Sequence, residues 1–82
     1  MHDLSRIDFE DALRTLTDDY APPGLPYLTR APIPKTWIIT VPGARYEISE
    51  DTFRELLGTH CIVADKEHFV PTAYAKEFVQ TL

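Results

Sequence analysis

Eighty-two residues with a net charge of −5, 44% apolar and 26% charged side chains describe one globular domain, whose short chain can bury only about 60% of its unfolded surface. A core that small has little room for an enclosed cofactor, and the acidic balance disfavours non-specific attraction to nucleic acid or to anionic membranes. No apolar run is long enough to span a bilayer, residues 1–6 hold no apolar signal segment, and Cys61 has no second cysteine to pair with, so the expected setting is the reducing cytoplasm.

Charge is spread unevenly: residues 1–20 carry −4, residues 21–47 carry +2 and residues 48–82 carry −3. The acidic start reads as a helix over residues 5–20, because Phe9, Ala12, Leu13, Leu16 and Tyr20 recur at i, i+3, i+4, i+7 and i+11, the spacing of one helical face. Ser5 with Asp8 resembles a capping box, Asp8 is a rival N-cap, and Leu4 with Phe9 sits where a hydrophobic staple would. The outer face of this helix carries Glu10, Asp11, Arg14 and Asp18, and Pro22 and Pro23 should end it by Asp19 or Tyr20.

Residues 21–35 hold Pro22, Pro23, Pro26, Pro32 and Pro34 together with Gly24. Such a density of prolines predicts an extended, semi-rigid arm and argues against a central strand. Leu25, Tyr27 and Leu28 are too apolar for a free linker and should lie against the core.

Residues 36–58 form the organising unit. Trp37, Ile39 and Val41 alternate with Ile38 and Thr40, as in a strand covered on both faces. Pro42 and Gly43 signal a turn, and Tyr46 and Ile48 then alternate with Arg45 and Glu47. Pairing Val41 with Tyr46 and Ile39 with Ile48 leaves residues 42–45 as the loop and keeps the apolar side chains on one face. Ser49 is an N-cap, Glu50 and Asp51 suit the positive end of a helix, Phe53, Leu56 and Leu57 make a buried stripe facing Ile39 and Val41, and Gly58 stops the helix at C′. Residues 59–82 look like the same unit displaced by 22 positions, with Val41 falling on Val63, Ile48 on Val70, Leu56 on Phe78 and Leu57 on Val79. Strands are expected over residues 61–63 and 68–70 and a helix over about 72–81, with Pro71 in the place of Ser49. The predicted fold is therefore α+β: a mainly antiparallel sheet built from two β-hairpin–helix units, ββα–ββα with pseudo-repeat character, plus an N-terminal α-helix on a Pro-rich arm.

Candidate chemistry is sparse. His60, Cys61, Asp65 and His68 lie close in sequence, but zinc wants four converging N or S ligands, and alternation sends His60 and Cys61 to opposite faces. Cys61 with His68 and Asp65 has the residue types of nucleophilic catalysis; a cysteine in an apolar strand is expected to be buried and inert. Ser5 and Ser49 read as caps, and Gly24, Gly43 and Gly58 are isolated, so no phosphate loop exists. No cofactor, no metal and no enzymatic activity are expected. Arg30, Lys35 and Arg45, interleaved with Tyr27, Trp37 and Tyr46, suggest a DNA- or RNA-binding regulator as the alternative function, against which the overall charge argues. The favoured expectation is a small acidic regulator that binds a protein with a basic surface through Asp8, Glu10, Asp11, Asp18 and Asp19. Inhibitors carried by phages or plasmids, acting on nucleic-acid-handling proteins, share this size and charge. A second copy of the chain is a further candidate partner.

Overall fold

A computed structural model describes residues 4–18 and 22–82. In chain order the described elements are β1 (Ser5–Arg6), α1 (Phe9–Leu16), β2 (Tyr27–Arg30), β3 (Thr36–Val41), β4 (Ala44–Ser49), α2 (Glu50–Gly58), β5 (Ile62–Asp65), β6 (His68–Pro71) and α3 (Ala73–Val79). They make a compact α+β fold in which one mixed sheet of order β1-β4-β3-β2-β6-β5 carries the three helices. β1 runs parallel to β4, and the other neighbours are antiparallel. Pairing sets the faces: Leu28 sits opposite Ile39, Trp37 opposite Ile48 and Leu28 opposite Phe69. These side chains point to the helices and form the core with Ala12, Leu13, Leu16, Phe53, Leu56, Cys61, Ile62 and Ala75. At its centre Trp37 stacks on Phe53 with ring centroids 3.7 Å apart, and Phe69 meets both rings edge-on. The alternate residues Tyr27, Thr29, Ile38 and Thr40 lie on the face away from the helices. Among the described residues no helix is long and apolar enough to cross a membrane.

The first helix is shorter than its periodicity suggests. Asp8, not Ser5, is the N-cap: its backbone is extended and its carboxylate accepts the Asp11 N–H at 2.9 Å. Ser5 and Arg6 are drawn into the sheet beside Tyr46 and Glu47. The Arg6 guanidinium meets the Glu47 carboxylate at 3.1 Å, and the Ile7 N–H donates to the Glu47 carbonyl at 2.9 Å. The helix closes at Thr17, whose N–H and hydroxyl both donate to the Leu13 carbonyl. The predicted positions of Asp19 and Tyr20 lie outside the described residues.

The arm expected over residues 21–35 contains β2, an internal strand between β3 and β6. The reason is the placement of the prolines. They flank Tyr27, Leu28, Thr29 and Arg30 without interrupting them, so all four residues keep an N–H and can pair on both sides. Leu28 is fully buried.

The β3–β4 hairpin is also tighter than predicted. Val41 faces Ala44, Ile39 faces Tyr46 and Trp37 faces Ile48, leaving only Pro42 and Gly43 as the loop. Gly43 adopts φ +77, so proline at the second turn position and a left-handed glycine at the third make a two-residue turn sufficient. The slip relative to the predicted register is two residues, which preserves side-chain parity.

At α2, the Ser49 hydroxyl accepts the Thr52 N–H at 3.2 Å. Phe53 and Leu56 are buried, but Leu57 is turned outward and 37% exposed, so it leaves the predicted stripe. Gly58 is the last helical residue rather than C′. The left-handed position belongs to His60 at φ +62; its N–H donates to the Leu57 carbonyl and the Cys61 N–H to the Leu56 carbonyl, both at 3.0 Å. That pair of bonds is the Schellman closure, with the buried Cys61 against the buried Leu56 as its apolar contact.

The second unit follows the same element order, but no single displacement relates it to the first. The pairs that close the two hairpins, Val41–Ala44 and Asp65–His68, are 24 positions apart, whereas the N-caps Ser49 and Thr72 are 23 apart. Pro71 ends β6 opposite Ile62 instead of opening the helix, and β2 separates the two hairpins in the sheet.

Candidate functional site

α1 is fixed by Ala12, Leu13 and Leu16, which are at most 2% exposed. That anchoring turns Glu10, Asp11 and Arg14 to solvent, and Asp8 and Asp18 at the two ends are exposed as well. Of the four described acids of the predicted site, Glu10 and Asp11 thus lie on α1 and Asp8 and Asp18 flank it, and they do not share one role. Asp8 is engaged as the cap. Glu10 pairs with Arg14 at 3.0 Å across one turn, an exposed i,i+4 pair worth a few tenths of a kcal/mol at about 0.3–0.5. Asp11 makes no ion pair among the described residues. The fifth acid, Asp19, lies outside the described residues.

Beside these carboxylates runs a series of aromatic rings that the sequence did not bring forward. Phe9, between Asp8 and Glu10 in the chain, meets Phe78 of α3 edge-on at 6.0 Å, and Phe78 meets Tyr74 at 6.1 Å. Tyr74 is 48% exposed. The sequence offers only the i,i+4 spacing of Tyr74 and Phe78, which puts both rings on one side of α3 without saying how far that side is covered.

The structure does not gather Arg30, Lys35 and Arg45. The Arg30 guanidinium lies 4.4 Å above the Trp37 ring, on the helix side. Arg45 is paired with Thr40 toward the hairpin end of the sheet, on the opposite face. Lys35 is exposed in a left-handed turn at φ +59 beside α2, where its carbonyl accepts the Glu50 N–H. Arg6, Lys35 and Arg54 share an open groove of about 510 Å³ with Glu50 and Asp51, so its charge is mixed. Glu50 is the best-connected carboxylate there. The Trp37 indole N–H donates to it at 2.7 Å and the Arg54 Nε–H at 3.3 Å. The Trp37 hydrogen bond holds its pKa below the ordinary carboxylate range; partial desolvation opposes this, and the Arg54 hydrogen bond and the Arg30 and Arg54 charges add to it.

The residue types of a nucleophilic triad are likewise kept apart. Cys61 is fully buried in the core, beside the Thr59 hydroxyl at 3.2 Å. His68 alternates with the core residue Phe69, so it lies on the other face, 3.7 Å from Asp65 and ring to ring with Tyr27 at 5.1 Å. Among the described residues no three His, Cys, Asp or Glu side chains converge as metal ligands would. Compared with protein-family models, with characterised proteins and with solved structures, the chain matches none.

Proposed function

We propose that this protein is a small, cytoplasmic, non-enzymatic regulator that binds another protein through the outer face of α1. The observation that carries this reading is the exposed carboxylate face of Glu10 and Asp11, with Asp8 at its start and Asp18 just past its end, on a helix whose other side is buried. Asp8 is engaged as the cap and Glu10 with Arg14, while Asp11 is exposed and makes no ion pair among the described residues. A basic partner adds attraction to this net negative face, and a helix already fixed in place loses little freedom on docking. The partner chemistry that fits is a cationic surface, such as the phosphate-binding site of a nucleic-acid-handling protein, where carboxylates stand in for phosphates. In this form the protein is an inhibitor of the kind phages and plasmids carry. The alternative, a DNA- or RNA-binding regulator using Arg30, Lys35 and Arg45, has less support because those side chains occupy different ends and faces of the sheet; an enzyme comes third.

The test uses the wild-type chain and the double variant Glu10→Lys, Asp11→Lys as parallel affinity baits, followed by association kinetics with the captured protein. Association should be fast at low salt, slow as salt rises, and fall in the double variant, while dissociation changes less. The melting temperature should fall only modestly, since both positions are exposed, although the reversal replaces the Glu10–Arg14 pair by a like-charge pair and puts cations in the first turn of α1. An association rate indifferent to salt and to the reversal would refute the reading.

A further inference from the structure

We infer that the rings of Phe9, Phe78 and Tyr74 are the apolar anchor of the docking surface, and that its occupant is a basic amphipathic helix of the partner protein. This rests on the protein-binding reading above and adds the partner's chemistry to it. The rings step outward from the seam between α1 and α3, where Phe9 and Phe78 are half-buried, to Tyr74 at 48% exposure. α3 buries one small residue, Ala75, and half-buries Phe78 against Phe9, which leaves Tyr74 as the exposed outer end of the ridge among the described residues.

Charge decides what can cover that ridge. Asp8 and Glu10 bracket Phe9 in the chain, Asp11 follows in the same first turn of α1, and all three carboxylates are exposed, Glu10 in its pair with Arg14. α3 contributes Lys76 and Glu77, whose charges offset each other. The surface is therefore an aromatic centre with an acidic border. An anionic membrane would be repelled by it. A second copy would bring another chain of net charge −5 against this acidic border. A helix with a Leu- or Ile-like stripe flanked by Lys or Arg meets both features: its stripe packs along the i,i+4 ridge and its cations face the carboxylates. Tyrosine at such a position is the type of residue that carries binding energy, with the charges at the border steering approach.

The experiment uses the full chain and two synthetic probes: a helical peptide of Leu and Lys with one apolar and one cationic face, and a Lys/Ser peptide of equal charge without the apolar face. Titration calorimetry should show the Leu/Lys peptide binding more tightly. Tyr74→Ser should weaken that peptide about tenfold and leave the Lys/Ser peptide and the melting temperature unchanged. Val63→Ser, at a position 50% exposed on the other face of the sheet, is the control and should alter neither. The inference is overturned if the Leu/Lys peptide does not bind, if Tyr74→Ser leaves its affinity intact, or if Val63→Ser weakens it equally. It is also overturned if sedimentation shows a dimer of the chain alone that Tyr74→Ser abolishes. The acidic-helix reading fails separately, when Glu10→Lys with Asp11→Lys leaves the affinity for both peptides unaltered.

Discussion

α2 and α3 each follow a β-hairpin, and each is preceded by a hydroxyl residue in extended conformation, Ser49 and Thr72. At Ser49 the hydroxyl turns inward along the helix and accepts the Thr52 N–H. At Thr72 it turns away and donates to the His60 carbonyl at 2.7 Å, while the Thr72 N–H donates to the Cys61 carbonyl at 2.9 Å. Thr72 therefore holds the loop that ends α2 and leaves the first turn of α3 without a side-chain cap. Burial differs in the same direction. α2 commits Phe53 and Leu56 to the core and α3 only Ala75, with Phe78 and Val79 half-covered. Position after a hairpin thus does not assign a role. Which acceptor or donor the hydroxyl reaches first, and how many large side chains the helix turns inward, make one helix a structural member and leave the other with an aromatic surface.

The largest contrast in burial lies inside α2. Leu56 is fully buried and Leu57 is 37% exposed. Leu56→Ala should cost about 2–5 kcal/mol in urea unfolding, and Leu57→Ala no more than about 0.5 kcal/mol. Equal losses would mean that the helix is rotated from the position described. A smaller difference separates the two caps. Ser49→Ala should cost about 1 kcal/mol, and Thr72→Ala roughly 0.5 kcal/mol because it removes one exposed hydroxyl–carbonyl bond. If Thr72→Ala proves as costly as Ser49→Ala, then Thr72 caps α3 after all.

The smallest expected effect concerns acid. Glu50 opens α2, and Ala73, at the same point of α3, cannot ionise. The folded-state pKa of Glu50 is depressed. Its contribution to stability is therefore complete above the ordinary carboxylate range and is lost as pH falls through that range toward the lower folded-state value. Glu50→Gln should flatten this acid limb by lowering stability slightly near neutrality and leaving it unchanged in acid, as measured by denaturant unfolding across pH. An acid limb identical to that of the wild type would show that the Trp37 hydrogen bond confers no pH dependence.

Much of the helix-facing core was legible because parity is a local property. Trp37 and Ile39 alternate with Thr36, Ile38 and Thr40, and Ile48 with Glu47 and Ser49, and a register slip of two residues leaves every one of them on the same face. The slip itself was not legible, since the short Pro42–Gly43 turn and the longer alternative satisfy that alternation equally. β1 has only two residues and no periodicity to read; its place beside β4 is set by partners far along the chain. β2 was obscured by counting prolines over residues 21–35 without asking which residues they spare. At the candidate site, the exposure of Glu10 and Asp11 follows from the spacing of Ala12, Leu13 and Leu16. The engagement of Asp8 as the cap depended on a competition with Ser5 that the strand pairing of Ser5 decides. Tyr74 escaped notice because its exposure depends on how α3 lies against α1, which no pattern within α3 encodes.

The internal place of β2 has a consequence for how the chain reaches this fold. The hairpins β3–β4 and β5–β6 join near neighbours and can zip without long searches, but they meet in the sheet only through β2. Pairing Leu28 with Phe69 closes a span of 41 residues, and pairing Arg6 with Glu47 closes another of 41. The entropic cost of each closure grows with the logarithm of that span, and contacts of such sequence separation slow folding. The expected order is local hairpins first and the two long closures last, with Leu28 and Phe69 on opposite sides of the final seam between the halves.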